Sequence, residues 1–181
     1  MKKFILAAAF GFAALNFSAG EAAIPYDNIV VENVTIDVGM DEGLSFAGRL
    51  EKENSKGDLL IVTHNLPRIK AYAKTLSGRK FTMVCNEKYT REAQWLKDLY
   101  PEAKIYTMDM VNAKVLLIAP DIAWVGSPNF GSYGYVESGI GMKNKTVYDY
   151  YYKKINEMIA KSCKELKAKK KKTQDKNAKK S

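Results

Sequence analysis

Two short runs constrain this chain more than anything else in it: Leu59-Leu-Ile-Val-Thr63 and Lys80-Phe-Thr-Met-Val-Cys85. Both are close to continuously apolar, so a strand built from either has no wet face and must be covered on both sides. Between them lies a helix-length stretch. It opens at Pro67, a residue suited to a first helical turn, presents Ile69, Ala73 and Leu76 to one side, and stops at Ser77-Gly78. A helix between two doubly buried strands argues for an α/β domain, a mixed sheet flanked by helices.

The rest of the chain extends that pattern. Residues 29–38 are β-branched and partly alternating, which predicts one opening strand. Leu44, Ala47, Leu50 and Asn54 fall on one helical face that ends at Lys56-Gly57. Thr90 is placed to cap a helix whose Trp95, Leu96 and Leu99 pack inward, and Pro101 stops it. Residues 104–108 read as a strand, 114–118 and 123–125 as a hairpin around Pro120-Asp121, and 137–142 as a last strand. From Val147 a long helix carries Tyr151, Ile155, Ile159, Cys163 and Leu166 at helical spacing. Tyr148, Tyr150, Tyr151 and Tyr152 are spread around that helix, so some join the core while others face solvent or a dimer contact.

At 181 residues the chain allows one domain. Met1-Lys2-Lys3, an apolar run over 4–17 and the small residues 18–23 predict a secretory signal peptide over 1–22, and hence a periplasmic protein with no transmembrane segment after cleavage. The domain is placed at 23–160, followed over 161–181 by the end of the C-terminal helix and a lysine-rich, disordered tail. The formal net charge of +9 belongs mostly to that tail, where ten lysines face only Glu165 and Asp175. Residues 23–160 hold seventeen basic and seventeen acidic side chains, so the body is neutral. Such a tail attracts polyanions, whether nucleic acid or anionic lipid headgroups, or simply keeps the protein soluble. Cys85 and Cys163 permit one disulfide in an oxidising compartment, and both positions equally suit buried free thiols.

The chemistry-bearing constellation is Asn112-Ala113-Lys114, Ala119, then Gly126-Ser127-Pro128-Asn129 and, further on, Glu137. A lysine in an apolar strand needs an anionic neighbour, for which Glu137, Asp121 or a bound phosphate are the candidates. Together the elements resemble one phospholipase D superfamily motif, His-x-Lys-x4-Asp followed by Gly-Ser-x-Asn and a later acidic residue. Over about residues 30–160 the order of elements is similar to that of the small, single-motif bacterial nucleases of the superfamily. The resemblance implies a phospholipase D-like mixed sheet flanked by helices and a homodimer. It also implies metal-free chemistry without a cofactor, in which histidine attacks phosphorus. Carried over, Asn112, Lys114, Ser127 and Asn129 are candidate phosphate ligands and Glu137 an orienting carboxylate. The family's histidine is replaced by Asn112 and its aspartate by Ala119. An amide is neither a nucleophile nor a proton carrier at neutral pH. The expected function is therefore phosphodiester or polyanion binding, or a scaffold role, at a degenerate active site. His64, at the end of a strand opening toward the same cleft, is the one imidazole able to restore catalysis, or else a ring bonded to a loop. A structural part in an envelope or secretion assembly is the third reading.

Overall fold

The computed structural model describes residues 27–31, 33–39, 45–53, 56–131 and 135–169. The expected signal peptide and the lysine run beyond 169 lie outside the described residues, as does Leu44.

One mixed sheet organises the chain. Its strands are β1 (Asp27–Val31), β2 (Val34–Gly39), β3 (Leu59–Thr63), β4 (Phe81–Asn86), β5 (Lys104–Met108), β6 (Val115–Ile118), β7 (Ile122–Gly126), β8 (Glu137–Lys143) and β9 (Lys164–Glu165). They lie in the order β1-β2-β8-β7-β6-β3-β4-β5-β9. The β3–β4 and β4–β5 pairs are parallel, and every other pair is antiparallel. The helices are α1 (Phe46–Lys52), α2 (Ile69–Tyr72, running on as a 3-10 turn to Leu76), α3 (Thr90–Leu99) and α4 (Lys145–Ser162). Ser45 and Asn144 cap α1 and α4, their side chains accepting from Gly48 N (3.1 Å) and Val147 N (3.1 Å).

Every residue of β3 and of β6 is buried, as their unbroken apolar character requires. Ile61, Met83 and Ile105 of one sheet face pack with Phe46, Leu76 and Leu96 from the helices. Leu60, Val62, Val84 and Leu117 of the other face pack with Tyr148 and Ile155 of α4. α4 covers only part of that second face, and Ile36, Val38 and Ile140 on β2 and β8 remain exposed.

Three expectations are corrected, and the alternatives left open for the two cysteines are decided. The opening strand is two strands folded back on each other, because Asn33 takes a left-handed conformation (φ 59°) in the two-residue connection. Thr90 is not a cap: its hydroxyl donates back to Glu87 O, closing a 3-10 turn that precedes α3. The long helix ends at Ser162. Beyond it the chain pairs with the edge of β5, Leu166 N donating to Ile105 O (2.8 Å), which carries Leu166 to the opposite core from the one α4 covers. Cys85 and Cys163 are both free thiols and belong to the two different cores, with the sheet between them.

Candidate functional site

The sheet topology brings one end of five strands together: the carboxyl ends of β3 and β4, the start of β6, the end of β7 and the start of β8. In α/β sheets with parallel strands this is where clefts form. Each sequence-derived candidate, His64, Asn112, Lys114, Ser127, Asn129 and Glu137, lies there.

The Gly126–Asn129 turn is held on both sides. Gly126 N donates to Lys114 O (3.3 Å), continuing the hairpin ladder one step past β6, and Ser127 N donates to Ser138 O (2.9 Å). Gly126 must be glycine, since a Cβ there would stand 2.4 Å from Ser138 O and 2.7 Å from Gly139 Cα. Ser127 Oγ donates to the Glu137 carboxylate and accepts from Ser138 N (3.0 Å). Glu137 therefore orients the serine hydroxyl. Lys114 sits just before β6, half-buried, and donates to Asn112 Oδ1 (2.8 Å). Its partner is thus the Asn112 amide, not a carboxylate. Asp121 is out of reach, at the far end of the β6–β7 hairpin.

The same geometry relocates Ala119. It follows β6 at the end away from Lys114, about 17 Å along an extended chain, with its N–H donating to Asp58 O (2.9 Å). Position 119 is a packing position at the opposite end of the strands, and only position 112 lies in the cleft.

Asn129 works as a brace. Its Oδ1 accepts from Thr63 Oγ1 (3.2 Å), His64 N (3.1 Å) and Asn65 N (3.1 Å). Thr63, fully buried, completes the joint by accepting from Phe130 N (3.0 Å). Any contact of the Asn129 amide with a ligand falls to Nδ2.

His64 is half-buried, its Nδ1 2.8 Å from Val111 O. A carbonyl only accepts, so the neutral ring carries its proton on Nδ1 and its lone pair on Nε2. Asn86 Nδ2 reaches the same carbonyl (3.4 Å), and the Tyr89 ring meets the imidazole edge-on at 5.6 Å. Thr63, Asn65 and Tyr89 are members of the site that motif spacing did not single out. The polar triplet Thr63-His64-Asn65 ending an apolar strand was their one local signal. Among the described residues no cluster of three or more His, Cys, Asp or Glu side chains could hold a metal ion, and no helix is long and apolar enough to cross a membrane.

Behind the turn, Arg49 of α1 forms a buried ion pair with Asp37 of β2 and lies 3.8 Å over the Trp124 ring of β7. Trp124 in turn lies flat on Gly141, where a Cβ would come within 2.3 Å of the indole. This stack joins α1, β2, β7 and β8 beneath the strands that bear Ser127 and Glu137.

No family model matches the sequence, and no curated protein matches it. Solved structures do. The chain is similar to Nuc from Salmonella typhimurium, a phospholipase D family member, with TM-score 0.57 and 13% identity over 75% of this chain and 99% of that one. It is similar to NucT from Helicobacter pylori, with TM-score 0.56 and 15% identity over 74% and 99% of the two chains. TrmBL2, an archaeal chromatin protein described for a novel mode of DNA binding, matches with TM-score 0.55 and 15% identity over 73% of this chain and 54% of its own. At such identities the likeness is one of fold, and the chain adopts the mixed-sheet fold of the phospholipase D family.

Proposed function

We propose that the cleft binds a phosphodiester or a related polyanion and, with an amide at position 112, holds it without phosphohistidine turnover. The observation that carries this reading is the gathering of Lys114, the Ser127–Glu137 pair and the Asn129-braced turn at one end of the sheet, beside Asn112. Lys114 would contribute the charge and the Asn112 and Asn129 amides the neutral donors, and the Ser127 hydroxyl would join them by turning its one proton from Glu137 to the ligand. Export to the periplasm follows from residues 1–22, and the lysine tail adds long-range attraction to polyanions. The chain would act as a homodimer whose contact includes the exposed Ile36, Val38 and Ile140. The DNA-binding role of the chromatin protein with the same fold is in keeping with a nucleic acid ligand.

The test is calorimetric titration with dimethyl phosphate, a diester with almost no substituent. Lys114→Ala should weaken binding roughly 10-fold or more and Ser127→Ala by a lesser factor. Absence of binding by the wild type would overturn the reading and leave the scaffold role in an envelope or secretion assembly.

A second reading rests on the Nε2 lone pair of His64, fixed by the Val111 carbonyl: a phosphodiesterase working through His64 and Lys114. Metal-free hydrolysis of bis(p-nitrophenyl) phosphate, abolished by His64→Ala, would establish it. Equal background rates in both proteins would remove it.

A further inference from the structure

A cavity of about 210 Å³ lies at the far end of the strands from the cleft, between α4 and the sheet, where β3, β4 and β5 begin. On the sheet face that α4 covers, paired residues form rows across these strands: Leu60, Thr82 and Lys104 in one, Val62, Val84 and Tyr106 in the next. Thr82 thus puts a hydroxyl where its neighbours Leu60 and Val84 are buried hydrocarbon. From the helix, Tyr148, Tyr152 and Asn156, each one turn apart, close the other side. The rings of Tyr148 and Tyr152 lie nearly parallel, 15° apart with their centroids at 5.8 Å.

Packing within the chain does not account for these hydroxyls. Among the described residues nothing hydrogen-bonds the side-chain oxygens of Thr82, Tyr106, Tyr148 or Tyr152, and none of the four is sealed from solvent, so each can meet a ligand. Burial, the largest cause, holds the Tyr106 and Tyr148 hydroxyls above their usual 10.0, so both stay neutral at physiological pH and can donate as well as accept. Asn156 Nδ2 donates to Tyr152 O (2.8 Å), which leaves its Oδ1 as a further acceptor. At the rim the charges balance: Lys80 pairs with Asp58 (3.1 Å), and Lys104 is offset by Glu102. Such a rim has no net attraction for a polyanion or a polycation. Neutral groups that both donate and accept are complementary to a ligand of the same kind, a polyol, while tyrosine rings favour an apolar surface. A sugar ring joins the two, with hydroxyls around its edge and C–H groups on its faces. Sites for drug-sized ligands run to roughly 300–1,000 Å³, so the smaller volume here sets the occupant at one ring.

We propose that this cavity binds one ring of a neutral saccharide, the Tyr148–Tyr152 pair packing against its C–H groups and the Thr82 and Tyr148 hydroxyls bonding its oxygens. The site is independent of the phosphodiester reading, since Asn112, Lys114 and Ser127 lie at the opposite end of the strands.

The experiment is an NMR titration of the folded chain, read at the backbone amides, with glucose, galactose and N-acetylglucosamine. Glycine and inorganic phosphate serve as zwitterionic and anionic controls. At least one sugar should shift the Thr82, Lys104 and Asn156 amides saturably, with a Kd on the order of 1 mM. Tyr148→Phe and Thr82→Val each remove one oxygen and keep the shape, and each should weaken that sugar roughly 2- to 10-fold, as loss of one hydrogen bond implies. Tyr152→Ala, at an exposed position where the fold tolerates truncation, should weaken it at least as much. No saturable shift with any of the three sugars overturns the proposal. So does sugar binding indifferent to all three substitutions, or an equal response at the same amides to glycine or phosphate.

Discussion

Arg49→Met is the substitution whose effect follows most directly from the packing. Asp37 is fully buried and Arg49 9% exposed, and the guanidinium both pairs with the carboxylate and covers the Trp124 ring. Methionine fills much of the same volume and packs against an indole, so the chief loss is electrostatic. Removing one member of a buried pair strands the other, at a cost of about 3–5 kcal/mol. For a domain of this size that corresponds to a fall in Tm of about 6–20 °C. Asp37→Leu should cost a similar amount, because it leaves the cation without its carboxylate. The double variant Asp37→Leu/Arg49→Met should cost less than either single change, since neither charge is then left alone. Thermal and urea unfolding of the four proteins give the cycle directly. If Arg49→Met lowered Tm by less than about 2 °C, or if the two single effects simply added in the double variant, the ion pair would not be the joint described above.

Three further outcomes are expected. Gly126→Ala pushes a Cβ against the backbone of Ser138 and Gly139, so β7 and β8 must part; stability should fall by about 1–3 kcal/mol in urea unfolding, with dimethyl phosphate affinity falling alongside it. Burial, with Glu92 nearby, pushes the Cys85 thiol from 9.0 up to about 12, so it stays protonated at pH 8 and should resist iodoacetamide in the folded chain. Denaturation without reductant should then expose two alkylatable thiols by intact mass, and a chain that takes up no label there would contradict the two-core placement. The Asp98 carboxyl is held below its usual 3.8 first by the Lys169 N–H (3.0 Å) and then by Gln94, so this tether is intact above 3.8 and is lost as pH falls through the lowered value. The Lys169 amide shift in NMR should titrate with a midpoint below 3.8, and Asp98→Asn should abolish that titration.

The elements that could be read in advance are those whose residues carry their own environment. The continuous apolar run of β3 marked it as covered on both faces, and all five of its residues are buried. Cys163 and Leu166 were misplaced for the converse reason. β9 is two charged residues held to β5 by backbone hydrogen bonds, and nothing in Lys164-Glu165 marks a strand. The division of β1 from β2 was hidden because two β-branched strands adjoin across a two-residue connection. Within the site, Lys114, Ser127 and Glu137 were singled out by the resemblance of their motif, and strand and turn spacing accounts for their lying at one end of the sheet. Asn129 could be placed but its work as a brace could not, since its partners are 64 to 66 residues away. Position 119, five residues along the strand from Lys114, lies at the other end of the sheet and outside the cleft.

The Asn129 brace also dictates when, during folding, the cleft can come into being. The end of β3 and the turn after β7 meet only through a closed stretch of about 65 residues, which includes β4, β5, β6 and both intervening helices. No fragment ending before Asn129 contains both halves of the joint, so a chain still emerging from its synthesis has no partial cleft with which to trap a ligand. Occupancy of the site is in that sense a certificate of completed folding. A ligand that binds there should slow opening of the whole sheet and not of one loop, a coupling of recognition to global assembly that a site built on a single local turn would lack.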